Sequence, residues 1–236
     1  MNYIVCEKPR QFHLKEKAYP SRNSGEALLK ITKVGICGTD LHAYAGNQAF
    51  FTYPRILGHE LAAEVLEIDK NQRNIKAGDK VVIMPYLSCG LCIACRNGKT
   101  NCCVDMSVLG VHTDGGMQEK LVVPENILLP ANQLSDQEIA IVECLSIGAH
   151  AVRRSNLESG EHVVVIGCGP IGIGLIKFAQ IKGAHVIAID MNQDRLDYVK
   201  KYLGVEHTVL GGQQAVEHVK KMTGSEMATA VFDATG

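Results

Sequence analysis

Short apolar runs alternate with amphipathic segments in the second half of the chain. The runs at 162–166 and 184–189 predict buried strands, and the helical spacing of apolar residues between them predicts helices. Asn192 is predicted to cap the second helix, and Gly204 to end it. The predicted strands are 162–166, 184–189, 207–210 and 229–232, and the predicted helices are 171–182, 193–203 and 213–222. Such alternation is typical of a parallel, doubly wound sheet.

The first half of the chain shows no alternation of predicted strands with predicted helices. Its apolar or alternating runs are short, and Gly, Pro and Asn residues separate them, which predicts an irregular β domain. The predicted strands are 27–34, 62–68, 80–84 and 120–123. We therefore expect two domains, residues 1–149 and residues 150–236, with the boundary between Ala140 and Glu161.

Composition excludes several classes of protein. The 236 residues carry 24 Lys plus Arg against 25 Asp plus Glu, and 46% are hydrophobic, which argues against disorder and against a nucleic-acid partner. The longest uncharged stretch, 163–176, contains four glycines and is shorter than the roughly 20 apolar residues of a membrane span. No export signal precedes residue 10, so we expect a cytoplasmic protein without a membrane partner.

Five of the nine cysteines fall between residues 89 and 103. An odd number without an export signal makes a disulfide framework the weaker interpretation. Cys89, Cys92 and Cys95, with either Cys102 or Cys103, place four thiols within one short loop, as in structural zinc sites. Reduced cysteines without a ligand are the alternative.

A glycine-rich loop lies between the first predicted strand and helix of the second half. The segment Gly167-Cys168-Gly169-Pro170-Ile171-Gly172 fits the dinucleotide-binding pattern, in which the helix amino terminus faces a pyrophosphate. Asp190 ends the next apolar run, where an acid accepts hydrogen bonds from the adenosine ribose. That carboxylate favours NAD over NADP, and Arg195 is the only nearby cation that would soften the preference. A glycine turn that binds no nucleotide is the alternative.

Three further segments carry side chains suited to metal binding or proton transfer. Cys37, Thr39, Asp40 and His42 share the first, His59 and Glu60 the second, and Glu143 lies in the third. Each residue alone has a structural explanation, such as a buried thiol or a hydrogen-bonded imidazole. Composition and spacing do not show whether they meet.

Taken together, these motifs resemble the zinc-dependent medium-chain dehydrogenases, the alcohol and polyol dehydrogenase family. The likeness covers the whole chain, in five ordered motifs: Gly35-Ile36-Cys37-Gly38-Thr39-Asp40-Leu41-His42, Gly58-His59-Glu60, the four-cysteine loop, the stretch 143–152 and the glycine loop. Within the family, 35–60 and 109–116 are most similar to galactonate-type oxidoreductases of sugar acids and polyols. The resemblance implies a GroES-like β domain followed by a partial Rossmann domain.

The resemblance also assigns roles. Cys37 and His59 would bind the catalytic zinc, Glu143 would bind zinc or its water, and Glu60 would be able to enter the coordination shell. Asp40 would orient His59, and Thr39 and His42 would pass the alcohol proton outward. Cys103, rather than Cys102, would complete the structural zinc site with Cys89, Cys92 and Cys95.

The function implied is hydride transfer from a secondary alcohol of a polyol or sugar acid to NAD, with one catalytic and one structural zinc. A primary-alcohol or threonine dehydrogenase, or a non-catalytic zinc-binding fragment, are the alternatives. The family's nucleotide-binding sheet has six strands, and the sequence ends after the fourth, so we expect about a third of the protein to be absent. We expect a homo-oligomer at full length, and poor substrate oxidation by the 236-residue chain alone.

Overall fold

A computed structural model describes residues 1–49 and 51–235. The chain divides into two compact units, Met1–Glu143 and Cys144–Gly236. The domain boundary expected after residue 149 lies a few residues further along, within the same helix, Val142–Arg154. Gly236, the last residue of the expected second domain, lies outside the described residues.

The first unit is mostly antiparallel β-structure. In chain order its elements are β1 (Asn2–Lys8), β2 (Gln11–Glu16), β3 (Glu26–Gly35), α1 (Gly38–Ala45), β4 (Glu60–Glu67), β5 (Lys80–Ile83), β6 (Tyr86–Leu87), α2 (Ile93–Arg96), β7 (Ser107–Val108), β8 (Lys120–Pro124), β9 (Leu128–Pro130), α3 (Asp136–Ala140) and α4 (Val142–Arg154), with single 3₁₀ turns at Thr100–Cys102 and Glu125–Ile127. Helix α4 continues into the second unit.

A five-stranded antiparallel sheet with the order β8-β3-β4-β5-β9 forms the centre of this unit. Strands β1 and β2 form one hairpin, and β6 pairs with β7. Leu29, Leu61, Val81 and Leu128 belong to the core and are at most 1% exposed. Burial of such apolar side chains is the main stabilising contribution to the unit. The four strands predicted in this half are confirmed as β3, β4, β5 and β8.

The second unit alternates strands and helices, as predicted. After α4 it contains β10 (His162–Ile166), α5 (Pro170–Ile181), β11 (His185–Asp190), α6 (Gln193–Leu203), β12 (His207–Leu210), α7 (Ala215–Met222) and β13 (Ala230–Asp233). The strands are all parallel, in the order β12-β11-β10-β13. This arrangement places the carboxyl ends of β10 and β11 at the same edge of the sheet, where doubly wound folds bind their ligands.

The predicted ends of α6 are confirmed. The Asn192 side-chain oxygen accepts hydrogen bonds from the backbone N–H groups of Asp194 (2.8 Å) and Arg195 (3.4 Å), which satisfies otherwise unpaired donors at the helix start. Gly204 follows the helix with φ of 68°, a left-handed conformation that glycine adopts without steric cost. Leu196 and Val199 face the core and are 1% and 0% exposed.

Candidate functional site

Three potential metal donors meet where β3 ends and β4 begins. The ligand atoms of Cys37, His59 and Glu60 all lie within 4.8 Å of one another. The antiparallel register pairs Gly35 with Glu60, so the residues just beyond one strand end lie beside those just before the other. The structure therefore brings together Cys37, His59 and Glu60, which resemblance alone had grouped.

Asp40 connects the two segments that carry these donors. Its carboxylate accepts hydrogen bonds from the backbone N–H of Cys37 (2.9 Å) and the backbone N–H of Gly58 (3.2 Å). Asp40 Oδ1 also lies 3.9 Å from Nδ1 of His59. Asp40 is 4% exposed, so these contacts are largely shielded from water. The carboxylate holds Cys37 and His59 in place from both sides.

The His59 imidazole lies in a negatively charged environment. Burial alone would lower its pKa, but the neighbouring Cys37 sulfur and Asp40 carboxylate outweigh that effect and raise the pKa to about 9. In the described structure, the buried Nδ1 atom of His59 has no hydrogen-bond partner. An unpaired buried polar atom is costly in a folded protein unless something else compensates for it.

Glu60 is held against the backbone of β3. A Cβ atom at Gly35 would lie 2.1 Å from Glu60 Oε2 and 2.8 Å from Glu60 Cβ, so only glycine leaves room for this carboxylate. Burial raises the pKa of Glu60, and the negative charges of Glu143 and Asp40 add to that effect although His59 opposes it. A cation beside Glu60 would relieve this accumulation of negative charge.

Glu143 belongs to the surroundings of this cluster but not to its compact donor set. Among the described residues, that set contains Cys37, His59 and Glu60 without Glu143. The Tyr86 hydroxyl donates a hydrogen bond to Oε1 of Glu143, which is 7% exposed. Burial raises the pKa of Tyr86, and the hydrogen bond to Glu143 raises it further, so the phenol stays protonated.

Thr39 and His42 lie on α1, one turn apart. The Thr39 hydroxyl oxygen is 3.8 Å from the Cys37 sulfur. His42 is exposed, and its Nδ1 is 3.2 Å from the side-chain oxygen of Asn47. An amide oxygen only accepts, so this contact assigns the proton to Nδ1 and leaves Nε2 able to accept one.

The cysteine-rich loop collects four sulfur atoms. The Sγ atoms of Cys89, Cys92, Cys95 and Cys103 lie within 4.8 Å of one another. Cys102, the alternative fourth ligand, is exposed, and its sulfur accepts a hydrogen bond from Asn101 instead. The geometry therefore favours Cys103 over Cys102.

Backbone N–H groups point at these sulfur atoms. Hydrogen bonds run from Cys89 N to Cys103 Sγ (3.3 Å) and from Cys92 N to Cys89 Sγ (3.4 Å). Backbone N–H groups of Cys95 and Val104 lower the pKa of Cys92 to about 6. Burial and the neighbouring sulfur atoms raise the pKa of Cys95 to about 11. Such crowding of thiol groups is relieved when a cation binds them as thiolates.

In the second unit, the glycine loop occupies the carboxyl edge of the sheet. A Cβ at Gly172 would lie 1.8 Å from the Gly167 carbonyl oxygen, so α5 packs too closely against the loop that follows β10 for any other residue. Gly169 differs, because a Cβ there would meet no atom within 4 Å. Packing therefore explains Gly172 but not Gly169, whose open side is available to a ligand. Pro170 and Ile171 begin α5, with Gly169 as its N-cap.

Asp190 stands at the end of β11 and contacts this loop. Its carboxylate accepts hydrogen bonds from Cys168 N (2.7 Å) and Asn192 N (2.8 Å), and Arg195 lies 3.7 Å from Oδ2. Asp190 and Arg195 line a pocket of about 610 Å³ beside Gly167. The pocket is large enough for a small-molecule ligand such as part of a dinucleotide.

Comparison with known proteins gives two family matches. The alcohol dehydrogenase GroES-like domain matches residues 23–133, and the zinc-binding dehydrogenase domain matches residues 170–236. L-galactonate-5-dehydrogenase of Escherichia coli (strain K12) is 42% identical over 236 residues, which are 100% of this chain and 69% of that protein. The chain belongs to the zinc-type alcohol dehydrogenase family.

A second relative and a solved structure are also similar to this chain over its whole length. Erythritol/L-threitol dehydrogenase of Mycolicibacterium smegmatis is 35% identical over 100% of this chain and 70% of its own length. The crystal structure of an alcohol dehydrogenase (rspB) from Escherichia coli CFT073, complexed with cofactor NADH, superposes with a TM-score of 0.91 at 30% identity. The superposition covers 100% of this chain and 69% of the chain in that crystal structure. The expected fold class, a GroES-like domain followed by a Rossmann-type parallel sheet, is confirmed.

This zinc-type alcohol dehydrogenase is an oxidoreductase of small-molecule alcohols that uses zinc and NAD. The expected enzyme class and cofactors are thereby confirmed. Among the described helices, none combines the length and apolarity that crossing a membrane requires.

The residues present fit both cofactors. Zinc bound to four thiolates at about 2.3 Å requires sulfur atoms about 3.8 Å apart, and the four sulfur atoms of the cysteine loop all lie within 4.8 Å of one another. The unpaired Nδ1 of His59 and the mixed sulfur, nitrogen and oxygen donors around it fit a catalytic zinc site. The open side of Gly169 fits the close approach of a pyrophosphate.

The sequence interpretation missed Gly35 and Tyr86. Gly35 belongs to the first motif, but the motif does not indicate its role. Only the strand register, which places Gly35 opposite Glu60, shows why glycine is needed there. Tyr86 lies far in sequence from Glu143 and follows a short apolar run, so no local pattern indicates that its hydroxyl points to a carboxylate. A three-dimensional structure is needed to find both.

Proposed function

We propose that this dehydrogenase oxidises a secondary alcohol of a polyol or sugar acid to a ketone. When bound, NAD would supply the acceptor for the hydride that the carbinol carbon gives up, while Thr39 and His42 would pass the hydroxyl proton towards solvent. The compact set of Cys37, His59 and Glu60 is the observation that carries the proposal. The 42% identity to L-galactonate-5-dehydrogenase supports the choice of substrate class.

Cys37 and His59 would hold the catalytic zinc, with Glu60 or Glu143 as the carboxylate partner. When bound, zinc supplies a Lewis acid that makes the substrate hydroxyl easier to deprotonate near neutral pH. A thiolate and one carboxylate balance the two positive charges of the ion, with a neutral imidazole. Asp40 would keep Cys37 and His59 at a fixed separation by holding the backbone N–H groups beside them.

Thr39 and His42 would carry the proton away. The Thr39 hydroxyl both donates and accepts, so it accepts the substrate proton while passing on its own. His42 presents an unprotonated Nε2 at the protein surface when Nδ1 donates to Asn47. A group that exchanges protons with solvent is what such a relay requires at its outer end.

The remaining ligands follow from the other two clusters. Cys89, Cys92, Cys95 and Cys103 would bind the structural zinc. The loop from Gly167 to Gly172, including Gly169, Pro170 and Ile171, would hold the NAD pyrophosphate at the start of α5. Asp190 would accept hydrogen bonds from the adenosine ribose, and Arg195 would contact the same part of the cofactor.

We also propose that residues 1–149 form the catalytic domain and residues 150–236 the NAD-binding domain. Zinc binding by Cys89, Cys92, Cys95 and Cys103 requires reduced thiols, which supports a reducing compartment such as the cytoplasm. Assembly of the full-length enzyme into a homo-oligomer stays a prediction, which light scattering tests.

The experiment that tests the function is NADH formation by the full-length enzyme over a substrate panel. We expect the highest kcat/KM on an aldonate such as L-galactonate or on a polyol, and lower values on L-threonine and primary alcohols. Cys37→Ala is the matched inactive control. Metal analysis accompanies it, because about two zinc ions per chain are expected for an enzyme with both sites. One zinc per chain, or equal activity on primary alcohols, would contradict the proposal.

A further inference from the structure

Two carboxylates lie near one metal site, and the structure treats them differently. Glu60 belongs to the compact donor set with Cys37 and His59, whereas Glu143 does not. Glu60 is held there because the backbone of Gly35 leaves room for its carboxylate. Glu143 instead accepts a hydrogen bond from the Tyr86 hydroxyl.

Tyr86 is well placed to hold a carboxylate. It lies in β6, where the antiparallel register pairs it with Val108. Next to it, the Pro85 carbonyl accepts a hydrogen bond from Leu109 N at 3.0 Å, so two consecutive residues are held against the same neighbouring segment. A phenol is a donor at any pH near neutrality, and a carboxylate is the stronger acceptor for it. The Tyr86 hydroxyl therefore directs its donor at Glu143.

A catalytic zinc site with balanced charge and an open coordination position can bind only one of the two carboxylates, Glu60 or Glu143. A Cys37 thiolate with one carboxylate neutralises the ion, and a second carboxylate would leave excess negative charge. With Cys37, His59, Glu60 and Glu143 all bound, four protein ligands would close the tetrahedron, which is the pattern of structural sites. A catalytic site keeps a position for substrate.

We propose that Tyr86 is a positioning residue that holds Glu143 outside the compact donor set, so that Glu60 serves as the carboxylate ligand and one coordination position is left for substrate. The inference rests on the proposed metal site of Cys37 and His59. It assigns to Tyr86 control over which carboxylate binds the metal, through its hydrogen bond to Glu143.

The test is the ligand-field absorption of Co²⁺ substituted for zinc in the purified chain. The spectrum of Cys37→Ala is subtracted, so that only the catalytic site contributes to the difference. We expect Tyr86→Phe to change this difference spectrum and to slow metal loss to a chelator by about tenfold or more, because Glu143 loses the hydrogen bond that directs its carboxylate towards Tyr86. Adding Glu143→Gln to Tyr86→Phe should restore both quantities towards wild type.

Tyr53→Phe is the matched control, because its hydroxyl also donates one hydrogen bond, but to the Ala43 carbonyl rather than to a carboxylate. It should leave the difference spectrum unchanged. A Tyr86→Phe spectrum identical to wild type would overturn the inference. So would a change that persists in the double variant, since that change would not depend on Glu143.

Failure of the underlying metal site is distinguishable. If the wild-type chain binds one Co²⁺ and Cys37→Ala does not lower that number, the proposed catalytic site is wrong, and the role of Tyr86 is refuted with it. If the wild-type chain binds about two Co²⁺ ions and Cys37→Ala loses one, the metal site stands. The Tyr86 variants then decide the inference alone.

Discussion

Replacing Gly35 by alanine tests whether close approach of the backbone holds Glu60 in the metal site. The added methyl carbon would lie 2.1 Å from Glu60 Oε2 and 2.8 Å from Glu60 Cβ. Ordinary contacts between such atoms are about 3.5 Å or longer, so the carboxylate must move by more than about 1 Å. Since Glu60 Cβ is also crowded, a simple rotation of the carboxylate does not remove the conflict.

The expected cost has two parts. Overpacking of this kind destabilises by about 1–3 kcal/mol, which lowers Tm by roughly 2–12 °C for a chain of this size. Displacement of a ligand or its support weakens metal binding by about 10–100-fold or more. We therefore expect Gly35→Ala to retain the zinc of the cysteine loop and to lose the other to a chelator far more readily than wild type.

The assay is chelator competition followed by metal analysis, with a thermal melt on the same samples. Gly38→Ala is the matched control, because a Cβ at Gly38 meets no atom within 4 Å although it adjoins Cys37. If Gly35→Ala holds both zinc ions as tightly as Gly38→Ala, the reasoning about Glu60 is refuted.

Three other predictions follow from the cysteine loop, the glycine loop and Asp190. Cys103→Ser should lower the zinc content by about one ion per chain while Cys102→Ser leaves it unchanged, as metal analysis would show; equal losses would refute the ligand assignment. Gly172→Ala should destabilise the protein by about 1–3 kcal/mol or more in thermal melts. Gly169→Ala should melt like wild type but bind NADH about tenfold more weakly in fluorescence titration, and unchanged NADH affinity would contradict this expectation. Although burial opposes it, backbone N–H groups lower the pKa of Asp190 below 3.8, so its contribution to stability is present above that pH and is lost as the pH falls through the lowered value. Asp190→Asn should therefore be less stable than wild type at about pH 7, and melting experiments should show the difference shrinking as the pH falls below 3.8.

The second unit was largely predictable from sequence because its signals are local. Strand β10 and helix α6 have the predicted bounds, since continuous apolar runs, an Asn cap and a terminal glycine act within a few residues. The same holds for the glycine loop, whose position between a strand and a helix is visible in the sequence. Contacts in parallel units of this kind repeat a simple pattern.

The first unit was less predictable. All six residues of β2 are exposed, so no alternation of buried and exposed positions marks it as a strand. Helix α3 was also missed, although Ser135 and Glu138 form a capping box that could have indicated its start. Neither α1 nor α4, which carry Asp40 and Glu143, was assigned from the pattern.

The candidate metal site depends on pairing across the sheet. Cys37 and Glu60 meet because β3 and β4 are aligned with Gly35 opposite Glu60, and no local rule gives that alignment. Resemblance to a family supplied the grouping, and the structure supplied the reasons for it in Asp40 and Gly35. Neither the sequence pattern nor the family resemblance predicts that Tyr86 contacts Glu143.

The bridge made by Asp40 gives the two metal centres different behaviour when zinc is scarce. Backbone hydrogen bonds to Asp40 link Cys37 and Gly58 without an ion, so we expect this site to keep its shape when zinc leaves. In the cysteine loop four sulfur atoms crowd together, and we expect loss of zinc there to disturb the local structure. Zinc depletion should therefore inactivate the catalytic site reversibly and disrupt the structure of the cysteine loop.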